Sequence, residues 1–195
     1  MIDIDALTVI TPPAIEPVDV VEMREYLRQS HSEEDQEILR MIAAARATVE
    51  EVVTRRLINT VLALPLAGFP TLIYLPLAPL VSVGSISYVD TDGATQTLDP
   101  SQYTIRLGDR AIIDRAYGVS WPATRSIPEA VTVTFTVGYG TTAISVPQGL
   151  RIAVKQAAAY LFEHREAEYR GGRDASRDLP HGTLRLLRRY RWSNY

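Results

Sequence analysis

The feature that most constrains the fold of this chain is a change of hydrophobic period, from helical to extended and back again. Ile38, Ile42, Ala45, Val49 and Val52 recur at spacings of four, three, four and three, which places them on one face of a helix over about residues 33–56. Beyond Leu57 the sequence turns to β-branched residues punctuated by Pro and Gly, and it stays so to about Val146. Strict alternation in Val131-Thr132-Val133-Thr134-Phe135-Thr136-Val137 predicts a strand with one buried and one wet face. Pro147 then opens a second long helix, whose apolar stripe is Leu150, Ala153, Val154, Ala157 and Leu161. The expected class is α+β: a small helical bundle with an inserted antiparallel β module and a flexible C-terminal arm.

Local signals refine this outline. Asp19 caps a first helix that carries Val20, Met23 and Leu27, with Glu22 placed to complete a capping box, and Ser32 with Asp35 offers a second start. Further strands are expected at 82–89 and 94–98, joined by a turn at Asp92-Gly93, and at Tyr103, Ile105 and Leu107 before a turn at Gly108-Asp109. Alanines on both long helices leave room for a close approach, so Ala44, Ala45, Ala157 and Ala158 are expected to form the helix-packing contact. The division that follows is an N-terminal extension at 1–16, a helical core at 17–57 and 147–170, a β-rich module at 58–146, and a linker with C-terminal arm at 171–195. Gly171-Gly172 and the polar run after it supply the hinge.

Composition removes several kinds of chemistry. The chain of 195 residues has no cysteine, which excludes disulfides, thiolate metal sites and thiol nucleophiles. Its acidic N-terminus lacks the positive start of a signal peptide, and no apolar run approaches the roughly 20 residues that span a bilayer. His31, His164 and His181 are scattered, and none has a second histidine at metal-ligand spacing. Asp90-Thr91-Asp92-Gly93 begins like a calcium loop, but its twelfth position is Ser101, so a hairpin turn is expected. Gly138-Tyr139-Gly140 lacks the third glycine of a dinucleotide fingerprint, and no nucleophile elbow is present. No enzyme, metal or cofactor is expected.

Charge is distributed unevenly. The last fifteen residues hold Arg185, Arg188, Arg189 and Arg191 with no acid, and a net charge of −3 then leaves −7 for residues 1–180. The residues alone leave two readings of this tail open. It is either a helix folded back on the body, with Leu184, Leu187 and Trp192 covering core, or an arm that anchors in a partner through Arg, Tyr and Trp. An acidic body argues against a dedicated DNA-binding domain.

The order of features resembles the head–tail connector (adaptor) proteins of tailed bacteriophages and phage-like gene transfer agents. The resemblance is carried by Pro17-Val18, by Glu33-Glu34-Asp35 opening the alanine-rich helix, and by the stretch from Leu75 to Val83 followed by Tyr88-Val89-Asp90 and Asp92-Gly93. It continues through Trp121-Pro122, the segment from Val137 to Gly140, Val146-Pro147, the run Glu163-His164-Arg165-Glu166, Leu179-Pro180, Leu186-Leu187 and Tyr190-Arg191. It spans about residues 17–192.

Membership would imply a virion structural protein, assembled in the bacterial cytoplasm, that forms an oligomeric ring, commonly a dodecamer, in the particle neck. Its partners would be the portal protein, a stopper or head-completion protein and further copies of itself, with DNA only passing through the lumen and no membrane. The resemblance assigns portal binding to the tail, at Arg185, Leu186, Leu187, Arg188, Arg189, Tyr190, Arg191 and Trp192. A nucleic-acid-binding accessory protein that uses the basic tail is the alternative.

Overall fold

The computed structural model describes residues 6–107, 111–169 and 179–191, without the side chains of 165–169. The chain is α+β and divides into two compact units. One comprises residues 59–138 together with the N-terminal segment up to Pro13, and the other comprises 14–58 and 139 onward.

In the β unit, five antiparallel strands run in the order β1 (Thr8–Thr11), β2 (Thr60–Leu66), β8 (Val131–Val137), β4 (Leu80–Val89) and β5 (Thr95–Thr97). A second sheet holds β3 (Ile73–Tyr74), β7 (Ile112–Arg115) and β6 (Tyr103–Arg106). The alternation predicted for 131–137 is present, with Val131, Val133, Phe135 and Val137 fully buried and the threonines half-buried. They share one apolar cluster with Leu62, Leu64 and Ile86 of the same sheet and Ile73 and Ile113 of the other. Phe69 stacks on Trp121 at 4.8 Å and meets Tyr88 edge-on at 5.6 Å, at the margin of that cluster.

Asp92-Gly93 makes the expected turn. Asp90 accepts hydrogen bonds from the Asp92 and Ala94 N–H groups and from Gln96 Nε2. These donors, the Gln96 amide foremost, hold the Asp90 carboxyl below its ordinary range. The anticipated turn at Gly108-Asp109 lies outside the described residues. Residues 8–11 depart from the expected extension, because they pair with β2 as an outermost strand of the sheet.

The helical unit contains α1 (Val20–Leu27), α2 (Asp35–Val53), α3 (Gln148–Tyr169) and α4 (His181–Leu187). Asp19 caps α1 by accepting the Glu22 N–H at 2.7 Å. The capping box is not closed: the Glu22 carboxylate instead pairs with Arg151 Nη2 at 2.5 Å and Lys155 Nζ at 3.0 Å on α3. A guanidinium and an ammonium together outcompete a single backbone N–H, since charge-assisted bonds are the stronger ones. Ser32 does not cap α2 either. The helix begins at Asp35, whose carboxylate pairs with Arg24 at 3.1 Å.

Ala45, Ala157 and Ala158 lie in the buried cluster where α2 packs on α3, beside Ile42, Val49 and Val154. Ala44 is exposed. One residue of helix turns about 100°, which carries Ala44 off the face that Ala45 presents to the cluster. The expectation for Ala44 is therefore corrected.

At the end of α2 a carboxylate is buried. Glu50, 2% exposed, accepts the Leu57 N–H at 2.8 Å and pairs with Arg46 at 3.1 Å and Arg56 at 3.3 Å. Arg46 is held in turn by Glu16 at 2.7 Å. Burial pushes the Glu50 carboxyl above its ordinary range, against the pull of Leu57 and the two arginines. Glu50→Ala should destabilise the fold by about 3–5 kcal/mol, because it leaves an orphan N–H and unpaired arginines. Glu50→Gln, whose amide oxygen still receives the Leu57 N–H, should lose distinctly less in denaturant melts; an equal loss would show that the ion pairs, and not the N–H bond, hold this corner.

Candidate interaction surface at the C-terminal segment

Residues 179–191 are built onto the helical unit by contacts distant in sequence. Leu187, 0% exposed, is part of the same cluster as Val49, Leu150 and Ala157, and Leu179, Leu186 and Tyr190 pack at its edge. Thr183 is buried, and its hydroxyl donates to Gln156 Oε1 at 3.0 Å. Arg55 Nε donates to the Tyr190 carbonyl at 2.8 Å. The Tyr190 ring lies so close to Gly149 that a Cβ there would stand 2.6 Å from its hydroxyl. A glycine in the first turn of α3 is what lets this ring seat.

The sequence-predicted contact residues are thus divided by the fold. Arg185, Arg188, Arg189 and Arg191 are exposed, and the Arg189 guanidinium lies 4.9 Å from the centre of the Tyr190 ring. Leu186 and Tyr190 are half-buried, Leu187 is in the core, and Trp192 lies outside the described residues. The flexible arm is corrected for residues 179–191, which form a helix and a following turn seated on the unit. The reason is apolar: burying Leu187 and the Tyr190 ring repays the ordering of a segment this short. The suggested hinge Gly171-Gly172 lies outside the described residues. Leu184, expected in the folded-back reading to cover core, is exposed at 37%.

What the segment presents is four exposed guanidinium groups on an ordered helix and the turn after it. Such groups offer planar forks suited to carboxylates or phosphates, and no acidic residue follows Asp178 in the chain. An open cleft of about 540 Å³ adjoins it, lined by Tyr26, Gln156, Tyr160, Glu163 and Thr183 among others. Among the described residues, no cluster of three or more His, Asp or Glu could hold a metal ion, and no helix is long and apolar enough to cross a membrane. The Gly138-Tyr139-Gly140 segment is a loop, and Gly140, at φ +154°, sits where a Cβ would clash with Ser145.

No protein-family model matches the chain, and no curated protein matches it. Among solved structures it is similar to a chain in one described as "Neck of empty GTA particle computed with C6 symmetry", with 26% identity, a TM-score of 0.77, and 97% of this chain and 96% of that chain covered. It is also similar to a chain in "Virion of native gene transfer agent (GTA) particle", at 25% identity, a TM-score of 0.77 and the same coverage. A third, "Neck of native GTA particle computed with C12 symmetry", shares the fold at 24% identity and a TM-score of 0.75.

The arrangement separates support from contact, and the two should respond differently to substitution. Leu187→Ala should cost about 2–5 kcal/mol of stability by emptying a core site. Arg185→Ala and Arg188→Ala should each stay within about 0.5 kcal/mol. Thermal melts of the three variants check this, and an unchanged melt for Leu187→Ala would mean that the segment is not seated in solution.

Proposed function

We propose that the chain is a structural subunit of the neck of a phage-like gene transfer particle, and within it the connector ring that joins the portal to the stopper and tail. The observation that carries this reading is end-to-end similarity of fold, over 97% of this chain and 96% of a neck-particle chain. In this reading copies of the chain, twelve in the expected ring, surround a lumen through which DNA passes. A net negative body suits that role, because phosphate is repelled and not gripped.

The exposed arginines of the C-terminal segment are the surface we assign to the portal. Because they stand on an ordered helix and turn, no folding cost is met on docking, and charge pairs at the contact set orientation. Replacing Arg185, Arg188, Arg189 and Arg191 together by Glu should leave the melt close to that of the parent while co-assembly with portal rings is lost. Undiminished co-assembly would contradict the assignment.

The same four guanidinium groups favour one other reading, an accessory protein that holds nucleic acid. A salt titration separates the two. The connector reading predicts weak, sequence-independent binding of duplex DNA at physiological salt, whereas nanomolar affinity there would favour the accessory reading.

A further inference from the structure

We propose that neighbouring copies of the chain join through their sheets, strand β1 of one copy adding to the open half of β4 in the next. The proposal deepens the connector reading and rests on it for the existence of a ring. Its grounds are an incompletely covered strand, edges without charge and matching strand polarity.

Strand β4 is ten residues long, but β5 pairs only with Ser87, Tyr88 and Val89. The Leu98 N–H makes one more bond, to the Ile86 carbonyl, and the chain then turns away through Asp99–Gln102, with Asp99 accepting the Ser101 N–H. In the stretch from Val81 to Ser85, Ser82, Val83 and Ser85 pair with β8 on one side, and no described strand pairs on the other. At the far edge of the sheet β1 is likewise outermost, and all four of its residues are exposed. Val81 is 44% exposed, Val9 49% and Ile10 56%.

Open edges of this kind are templates for another strand, and soluble proteins guard them with charges, prolines, bulges or short strands. Bulges interrupt the open half of β4 at Leu80/Ser82 and Val83/Ser85 and β1 between Val9 and Thr11, but neither edge here is guarded by charge. No Asp, Glu, Lys or Arg occurs from Leu57 to Val89, and none from Ala6 to Ile15. No like-charge repulsion therefore opposes the approach of one edge to the other, and apolar side chains stand at both.

Polarity selects the pairing. From β1 through β2 and β8 to β4 every neighbour is antiparallel, so β1 and β4 run in opposite directions. Copies related by a small rotation keep their strand directions, so β1 of one copy meets β4 of the next antiparallel and the alternation continues. The four residues of β1 also fit within the five open positions of β4. Two different but complementary edges make a head-to-tail contact, which a ring requires and a two-fold dimer does not.

The chain has no cysteine, which makes disulfide trapping a direct test. Val9→Cys or Ile10→Cys would be combined with Val81→Cys or Val83→Cys in the full chain, giving four double variants, and each would be compared with its single variants after mild oxidation. Within one copy β1 and β4 lie three strand spacings apart, about 14 Å, beyond the roughly 7 Å that a disulfide tolerates, so only copies can be linked to each other. At least one double variant should give a ladder of covalent multimers that collapses on reduction, while the single variants stay monomeric. Dimers from a β1 single variant alone would mean a symmetric pairing and overturn the proposal. Rings visible by electron microscopy without a ladder from any double variant would overturn the edge contact and leave the connector reading standing. Failure to form either rings or ladders, with portal present, would overturn both.

Discussion

The buried carboxylate of Glu50 is the interaction on which the path of the chain depends. It sits where α2 ends, and through the Leu57 N–H and two arginines it fixes the turn by which the chain leaves that helix. Thr54 adopts a left-handed conformation there, at φ 55°, and the Arg55 N–H returns to the Glu50 carbonyl. A non-glycine residue in that region is held by its surroundings. The same turn places Arg55 so that its side chain meets the Tyr190 carbonyl, so one buried charge cluster adjoins both the exit from α2 and the seat of the C-terminal segment.

From that corner a division of labour follows within the helical unit. Its apolar residues are spent on the packing of α2, α3 and α4, and four exposed arginines lie within 185–191. The β unit is the opposite case. It buries its alternating face in one cluster and leaves backbone, not charge, on display at β1 and at the open half of β4. An assembly built from such a subunit would use guanidinium groups for one neighbour and strand edges for another, two chemistries that do not compete.

Much of this was legible in sequence where the signal is local and periodic. Strand 131–137 was readable because its alternation and its burial are one fact, and α3 was readable from Pro147 and its apolar stripe. Strand β1 was not, since four residues exposed on both faces carry no alternation to detect. The capping residues were half legible: Asp19 acts as expected, while Glu22 is drawn to Arg151, which lies 129 residues away and leaves no trace in local spacing. The basic segment kept two readings open for the same reason. Its seat depends on Gly149, Gln156 and Arg55, none of which can be paired with it by pattern. Its arginines were visible as candidates, but which side chains turn inward was decided by the core.

The central claim is that this chain is a neck subunit, and a side-chain-resolution cryo-electron-microscopy reconstruction of particles from producing cells tests it most directly. The account predicts a ring of this chain between portal and tail, with the 185–191 arginines against the portal and each β1 lying beside a neighbour's β4. Particles whose neck contains no copy of the chain would contradict it.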